Sequence, residues 1–217
     1  MSVKALIPNL LTVLRLVLTL IMFAGFVAFA WIQDRGVMVP TPVVFALLQV
    51  ILICFVVAAV TDFFDGWLAR RWQVESLFGA IADPIADKIL VCGAALGLIA
   101  AHVQPSVLLP VGLILFREFA VSALREVLAP RGLSLPVTFL AKVKTSLQLV
   151  AMGAVMVAWF APAYGIELNL KQFERVTLGA NALVWLAALI TLWTGIEYGL
   201  AAWRGLKAKA GELTANP

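Results

Sequence analysis

Apolar residues run almost unbroken through this chain, interrupted at intervals by short polar connections. Uncharged runs extend over Leu16 to Gln33, Gly36 to Thr61, Ile89 to Phe116, Thr145 to Ile166 and Val176 to Ile196. Each is near or beyond the ~20 residues that cross a bilayer as a helix. The run from Ile89 to Phe116 is too long for one comfortable span, and His102, Gln104 and Pro105 mark a turn that divides it. The pattern predicts an all-α integral membrane protein with six transmembrane helices over about 9–31, 43–70, 79–101, 106–129, 137–160 and 175–203, and residues 1–217 forming a single domain.

Turn residues fall between these segments. Asp34-Arg35-Gly36 with Pro40 and Pro42, then Pro130-Arg131-Gly132 with Pro136, punctuate the chain, and Pro8 is expected at the start of the first helix, where a missing N–H costs nothing. Lys4, a long apolar run and Ala28-Phe29-Ala30 imitate a signal peptide with its cleavage site. The run exceeds the usual length of such a segment and carries Arg15 inside it, so an uncleaved first span is expected.

Composition agrees with the pattern. Of 217 residues, 63% are hydrophobic and 13% charged, far below the roughly 25% charged of soluble domains. The net charge of +4 is scattered among membrane segments, which favours contact with anionic lipid over nucleic acid, and no nucleic-acid partner is expected. Cys54 and Cys92 lie in apolar runs with no CxxC spacing and read as small packing residues. Lys4, Arg70, Arg71, Arg125, Arg131 and the basic C-terminal stretch share one side of the membrane, against Arg35, Lys171 and Arg175 on the other. The positive-inside rule then puts both termini in the cytoplasm. The expected location is the cytoplasmic (inner) membrane, as a multi-pass protein.

The polar residues of the spans gather at one depth. Asp62 and Asp65 lie near the cytoplasmic end of span 2, and Asp83 and Asp87 one to two turns into span 3 from the same side. An ionised Asp at membrane depth costs on the order of 3 kcal/mol on insertion scales, so four of them need a compensating cation. Asp62 and Asp65 are spaced i, i+3, while Gly79, Asp83 and Asp87 are spaced i, i+4, i+8, so each set projects from one side of its helix. If spans 2 and 3 are adjacent and antiparallel, the carboxylates converge. Oxygen ligands without His or Cys suit Mg²⁺ or Mn²⁺. Gly66, Ala69 and Gly79 leave helix surface bare beside the acids, either for close helix packing or for a bulky ligand; with four acids and Arg70 alongside, the ligand reading is preferred.

A cationic layer lies at the same depth. Arg117 and Arg125 are eight apart on one face of span 4, and Lys142 begins span 5, with Lys144 turned roughly 200° away from it. Guanidinium groups with a nearby ammonium suit a phosphate-bearing ligand, and the competing reading is that Arg125, Lys142 and Lys144 snorkel to headgroups. Glu118 and Glu126 stand close enough in sequence to pair with them. Asn9, Thr12 and Arg15 of span 1 are expected to line the same cavity.

Asp62-x2-Asp65-Gly66-x2-Ala69-Arg70-x8-Gly79-x3-Asp83-x3-Asp87 is similar, at every fixed position, to the signature of the CDP-alcohol phosphatidyltransferase family. Pro8-Asn9-Leu10-Leu11-Thr12-x2-Arg15 and Arg117-Glu118-x3-Ser122-x2-Arg125-Glu126 look like the branch whose acceptor is glycerol 3-phosphate. The resemblance implies a six-helix bundle of that family's kind. It implies two divalent ions held by Asp62, Asp65, Asp83 and Asp87, with Asp87 also the general base. CDP-diacylglycerol would lie over Asp62, Gly66, Ala69, Arg70 and Gly79, and Arg117, Arg125, Lys142 and Lys144 would grip the acceptor phosphate. A homodimer through the membrane helices is implied as well.

Two alternatives stay open at this point. The aspartate signature is shared by relatives with other acceptors, such as inositol phosphate, serine or phosphatidylglycerol, and so cannot choose among them. A cation transporter could use the same acids, although its outer half would then be expected to carry polar or broken helices.

Overall fold

The computed structural model describes residues 3–73, 76–101, 105–133 and 139–215. Six long helices make up this part of the chain: α1 (Val3–Arg35), α2 (Thr41–Trp72), α3 (Leu77–Ala100), α4 (Pro105–Leu128), α5 (Phe139–Trp159) and α6 (Leu170–Ala215). Short 3₁₀ turns at Ala129–Arg131 and Ala161–Tyr164 follow α4 and α5, and no strand occurs among the described residues. Every expected span falls on one helix. The ends differ most at α1, which begins before Pro8, and at α6, which runs on past Trp203.

Local chemistry sets several of these ends. Ser76 caps α3 by accepting the Gly79 N–H at 2.9 Å. Asn169 and Gln172 exchange two backbone-to-side-chain bonds of 2.9 Å at the start of α6, a reciprocal capping box that satisfies two otherwise orphaned donors.

Among the described residues, stretches of four helices are long and apolar enough to cross a membrane: Leu6–Arg35, Thr41–Asp62, Pro105–Arg131 and Leu170–Lys209. This makes the protein a multi-pass membrane protein, with four spans evident by length and composition where the sequence pattern suggested six. The reasons lie in two helices. α3 carries Asp83, Asp87 and Lys88 in its first half, and α5 counts only over Val143–Trp159 because its first four side chains lie outside the described residues. Leu20, Ile53, Leu109 and Leu178 are exposed on outward faces, as lipid-facing residues are.

The helices pack as two triads. α1 lies against both α2 and α3, while α2 and α3 touch each other only sparingly; the direct α2–α3 pairing that the short connection suggested is replaced by a wedge. Close approach of α1 to α3 explains Gly97, where a Cβ would stand 2.1 Å from Phe26 Cδ2. In the second triad α6 packs on α4 and α5. The triads meet where α2 reaches α5 and the 161–164 turn and where α3 reaches α4 and α5. One continuous core results, with Phe26, Ile51, Leu98, Ile114, Met152 and Ala188 all buried. Cys54 is buried and Cys92 half-buried, both as free thiols.

Candidate active site

The wedge brings α1 into the acidic motif. Arg15, fully buried, points its guanidinium into the gap between α2 and α3. Its Nη1 donates to Asp62 Oδ1 at 2.5 Å and to Asp87 Oδ1, and its Nη2 donates to Asp65 Oδ2. One turn earlier, Thr12 Oγ1 donates to Asp83 Oδ1 at 2.7 Å. All four motif aspartates are therefore held by two residues of α1. Burial grades across the cluster: the Asp65 side chain is 4% exposed, Asp62 30% and Asp87 43%. The acids open toward one side, with Arg15 beneath them.

Asn9 continues the line toward the helix start. Its Oδ1 accepts the Ser76 hydroxyl at 2.6 Å, and Ser76 in turn caps α3 at Gly79. A Cβ at Gly79 would stand 3.2 Å from Ser76 Oγ, 3.4 Å from Asn9 Oδ1 and 3.6 Å from Asp83 Oδ2. The bare backbone of Gly79 thus faces a ring of oxygens, next to the carboxylates.

Across from the acids lies a cationic wall with an acid built into it. Glu118 Oε1 accepts from Arg117 Nη1 at 3.2 Å, from Lys144 Nζ, and from Gln148 Nε2 at 3.3 Å. Arg117 also donates from Nη2 to Thr194 Oγ1 at 3.0 Å, and Gln148 to Thr191 Oγ1 at 2.7 Å. Tyr198 on α6 offers its ring to both Arg117 and Arg125, at 5.4 and 5.5 Å from the ring centroid, a favourable cation–π arrangement. Arg117 and Lys144 are buried, while Arg125 is exposed.

Between the walls is a cavity of about 300 Å³. Asp83, Asp87 and Lys88 line it from α3, Arg117, Glu118 and Arg125 from α4, Lys144 and Gln148 from α5, and Tyr198 from α6. Arg117 Nε, Gln148 Oε1 and the Tyr198 hydroxyl are buried without a hydrogen-bond partner among the described residues. Orphaned polar atoms in one cavity are costly unless a ligand or water meets them.

The acids match a hard divalent cation in kind, since every donor is a carboxylate oxygen. Arg15 occupies one oxygen each of Asp62, Asp65 and Asp87 and leaves the second, and its single positive charge stands against four carboxylates. In the present arrangement, however, no group of three acidic, histidine or cysteine side chains among the described residues is set to hold a metal ion. The cluster is closed on the guanidinium instead.

Sequence reasoning named most of these residues, and the structure groups them differently. Asn9, Thr12 and Arg15 were expected to line the cavity and are not among the residues that do; Thr12 and Arg15 bond to the acids, and Asn9 sits beside them, through Ser76. Lys144, included in the expected acceptor-phosphate set though about 200° from Lys142 by helical spacing, lines the cavity. The side chains of Ala69, Arg70 and Lys142 lie outside the described residues, and so do the assignments made on Gly66, Ala69, Arg70 and Lys142; His102 lies outside as well. Lys88, Gln148, Tyr198 and Ser76 were missed. Gln148 had a legible signal, a polar residue one turn after Lys144 in an apolar helix, whereas nothing around Tyr198 marked it.

A helical membrane protein whose clustered acids face a basic cavity suits transfer chemistry on a charged lipid precursor. A family model, CDP-alcohol phosphatidyltransferase, matches residues 5–193. The chain belongs to the CDP-alcohol phosphatidyltransferase family, and it is a transferase, as the signature implied. It is 39% identical to a protein of Cereibacter sphaeroides over 88% of this chain and 93% of that one. It is 38% identical to one of Salmonella choleraesuis over 92% and 95%, and 36% identical to one of Yersinia enterocolitica over 92% and 96%. Each of these relatives is named CDP-diacylglycerol--glycerol-3-phosphate 3-phosphatidyltransferase. Family membership answers the transporter alternative.

Proposed function

We propose that the protein transfers the phosphatidyl group of CDP-diacylglycerol to the sn-1 hydroxyl of glycerol 3-phosphate, giving phosphatidylglycerophosphate and CMP. The observation that carries this reading is the single cavity with Asp83 and Asp87 on one wall and Arg117, Arg125 and Lys144 on the other. The acidic wall is where a diphosphate meets its counter-ions, and the basic wall suits the acceptor's phosphate. The names of the relatives support the choice of acceptor.

In this reading Asp62, Asp65, Asp83 and Asp87 hold two divalent cations, Mg²⁺ or Mn²⁺. Bound there, such ions neutralise the diphosphate and the charge on departing CMP. Asp87, at the open end of the acids, takes the proton of the acceptor hydroxyl. That oxygen forms its bond to the phosphorus bearing diacylglycerol while the bond to CMP breaks. Arg117 and Arg125, stacked on Tyr198, orient the acceptor, and Glu118 keeps Arg117 and Lys144 in place. Gly79, with Gly66, Ala69 and Arg70 of the signature, gives the nucleotide its bed.

The same reading places the chain in the cytoplasmic membrane with six spans, both termini and the site on the cytosolic side, and as a homodimer. Cysteine-accessibility labelling in right-side-out vesicles and the mass of the protein in nanodiscs test these points. The reaction itself is tested by giving purified protein CDP-diacylglycerol, Mg²⁺ and one acceptor at a time. CMP release with glycerol 3-phosphate is expected; release only with inositol phosphate, serine or phosphatidylglycerol would refute the acceptor.

A further inference from the structure

Arg15 lies among the acids rather than in the cavity wall. It is the fully buried centre of three motif aspartates, and its two terminal nitrogens bridge α2 to α3. Its planar guanidinium presents a fork of donors that matches several carboxylates at once. Asp83, by contrast, is held by the neutral hydroxyl of Thr12.

We infer that Arg15 is a resident counter-ion: it compensates the aspartates while they hold no metal, and divalent cations bind against it. The inference rests on the metal reading above. Two observations carry it beyond that reading. Arg15 occupies one oxygen of each of three would-be ligands, and it is itself fully buried on α1, which packs against both helices that carry them.

The argument is one of differential interaction. Facing bare carboxylates, the buried guanidinium gains three charge-assisted hydrogen bonds. Facing carboxylates already neutralised by divalent ions, it gains less and is repelled by those ions at short range. Arg15 therefore favours the metal-free site, and by reciprocity it weakens metal binding to the same degree. The chain can insert and fold with its acids satisfied, and the metals remain exchangeable.

The test compares the full-length protein with Arg15→Gln and Arg15→Lys, using Mn²⁺ as the probe in binding titrations followed by electron paramagnetic resonance. Arg15→Gln should bind Mn²⁺ about tenfold tighter or more, and its Tm should fall without metal and recover with it. Arg15→Lys keeps a charge but loses the planar fork, so it should fold and give an intermediate affinity. Unchanged or weaker Mn²⁺ binding in both variants would overturn the inference, since Arg15 would then orient metal ligands rather than stand in for the metal. Absence of Mn²⁺ binding to the unmodified protein would overturn the metal reading itself, whereas normal binding with no gain in the variants would sink only the role of Arg15.

Discussion

Arg117 crosses α6 directly over Gly195. A Cβ at that glycine would stand 2.8 Å from Arg117 Cγ, closer than real side chains approach. The absence of a side chain on α6 is thus what lets α4 deliver a buried guanidinium to the cavity. Gly195→Ala should push Arg117 off its bonds to Glu118 and Thr194. The expected result is a several-fold rise in KM for glycerol 3-phosphate with little change for CDP-diacylglycerol, measured by CMP release at varied concentrations of each. Equal rises would place Arg117 outside the acceptor site.

Arg117→Ala removes the group outright and should give the same KM pattern more strongly. An effect confined to CDP-diacylglycerol would reassign the residue to the donor.

Glu118 is the carboxylate on which Arg117 and Lys144 converge. Removing one partner of a buried pair leaves the other charges uncompensated, typically at about 3 kcal/mol or more. Glu118→Leu should therefore lower the Tm of the detergent-solubilised protein markedly, and Glu118→Gln less, because an amide still accepts one hydrogen bond. Full stability in Glu118→Leu would mean that solvent or lipid phosphate already balances the two cations.

At the α1–α3 contact, Gly97 admits the ring of Phe26. Gly97→Ala should overpack that contact and cost about 1 to 3 kcal/mol, read as a fall in Tm. The double variant Gly97→Ala with Phe26→Ala should relieve the overpacking and show non-additive stability.

Asp87→Asn tests the proton acceptor. Turnover should be lost while CDP-diacylglycerol binding, followed with a fluorescent analogue, is largely kept; parallel loss of both would make Asp87 a ligand only. Chelation by EDTA should also stop turnover, and added Mg²⁺ should restore it.

Helix number and order were legible because lipid demands long apolar helices and polar turns between them. The aspartates were legible for the same reason, since a charge in such a helix is conspicuous. What the sequence concealed was the partner of each charge. Arg15 and Arg117 look alike as single arginines in apolar runs, yet one is wrapped by aspartates and the other faces a glutamate and a tyrosine. That difference depends on which helices touch, and a short connection between α2 and α3 gave no sign that α1 packs between them. For Lys144 the spacing gave a direction only relative to Lys142, while Glu118 on another helix decides where its ammonium goes.

The two-triad arrangement bears on how the protein is made. The first triad is complete once residue 100 has been synthesised, and it contains every acid of the motif together with the arginine that balances three of them. The second triad brings the opposite charge. A ribosome-bound chain can therefore settle its most expensive polar cluster in the bilayer before Arg117, Arg125 or Lys144 has emerged, and the cavity comes into being last, as the seam between an early half and a late one.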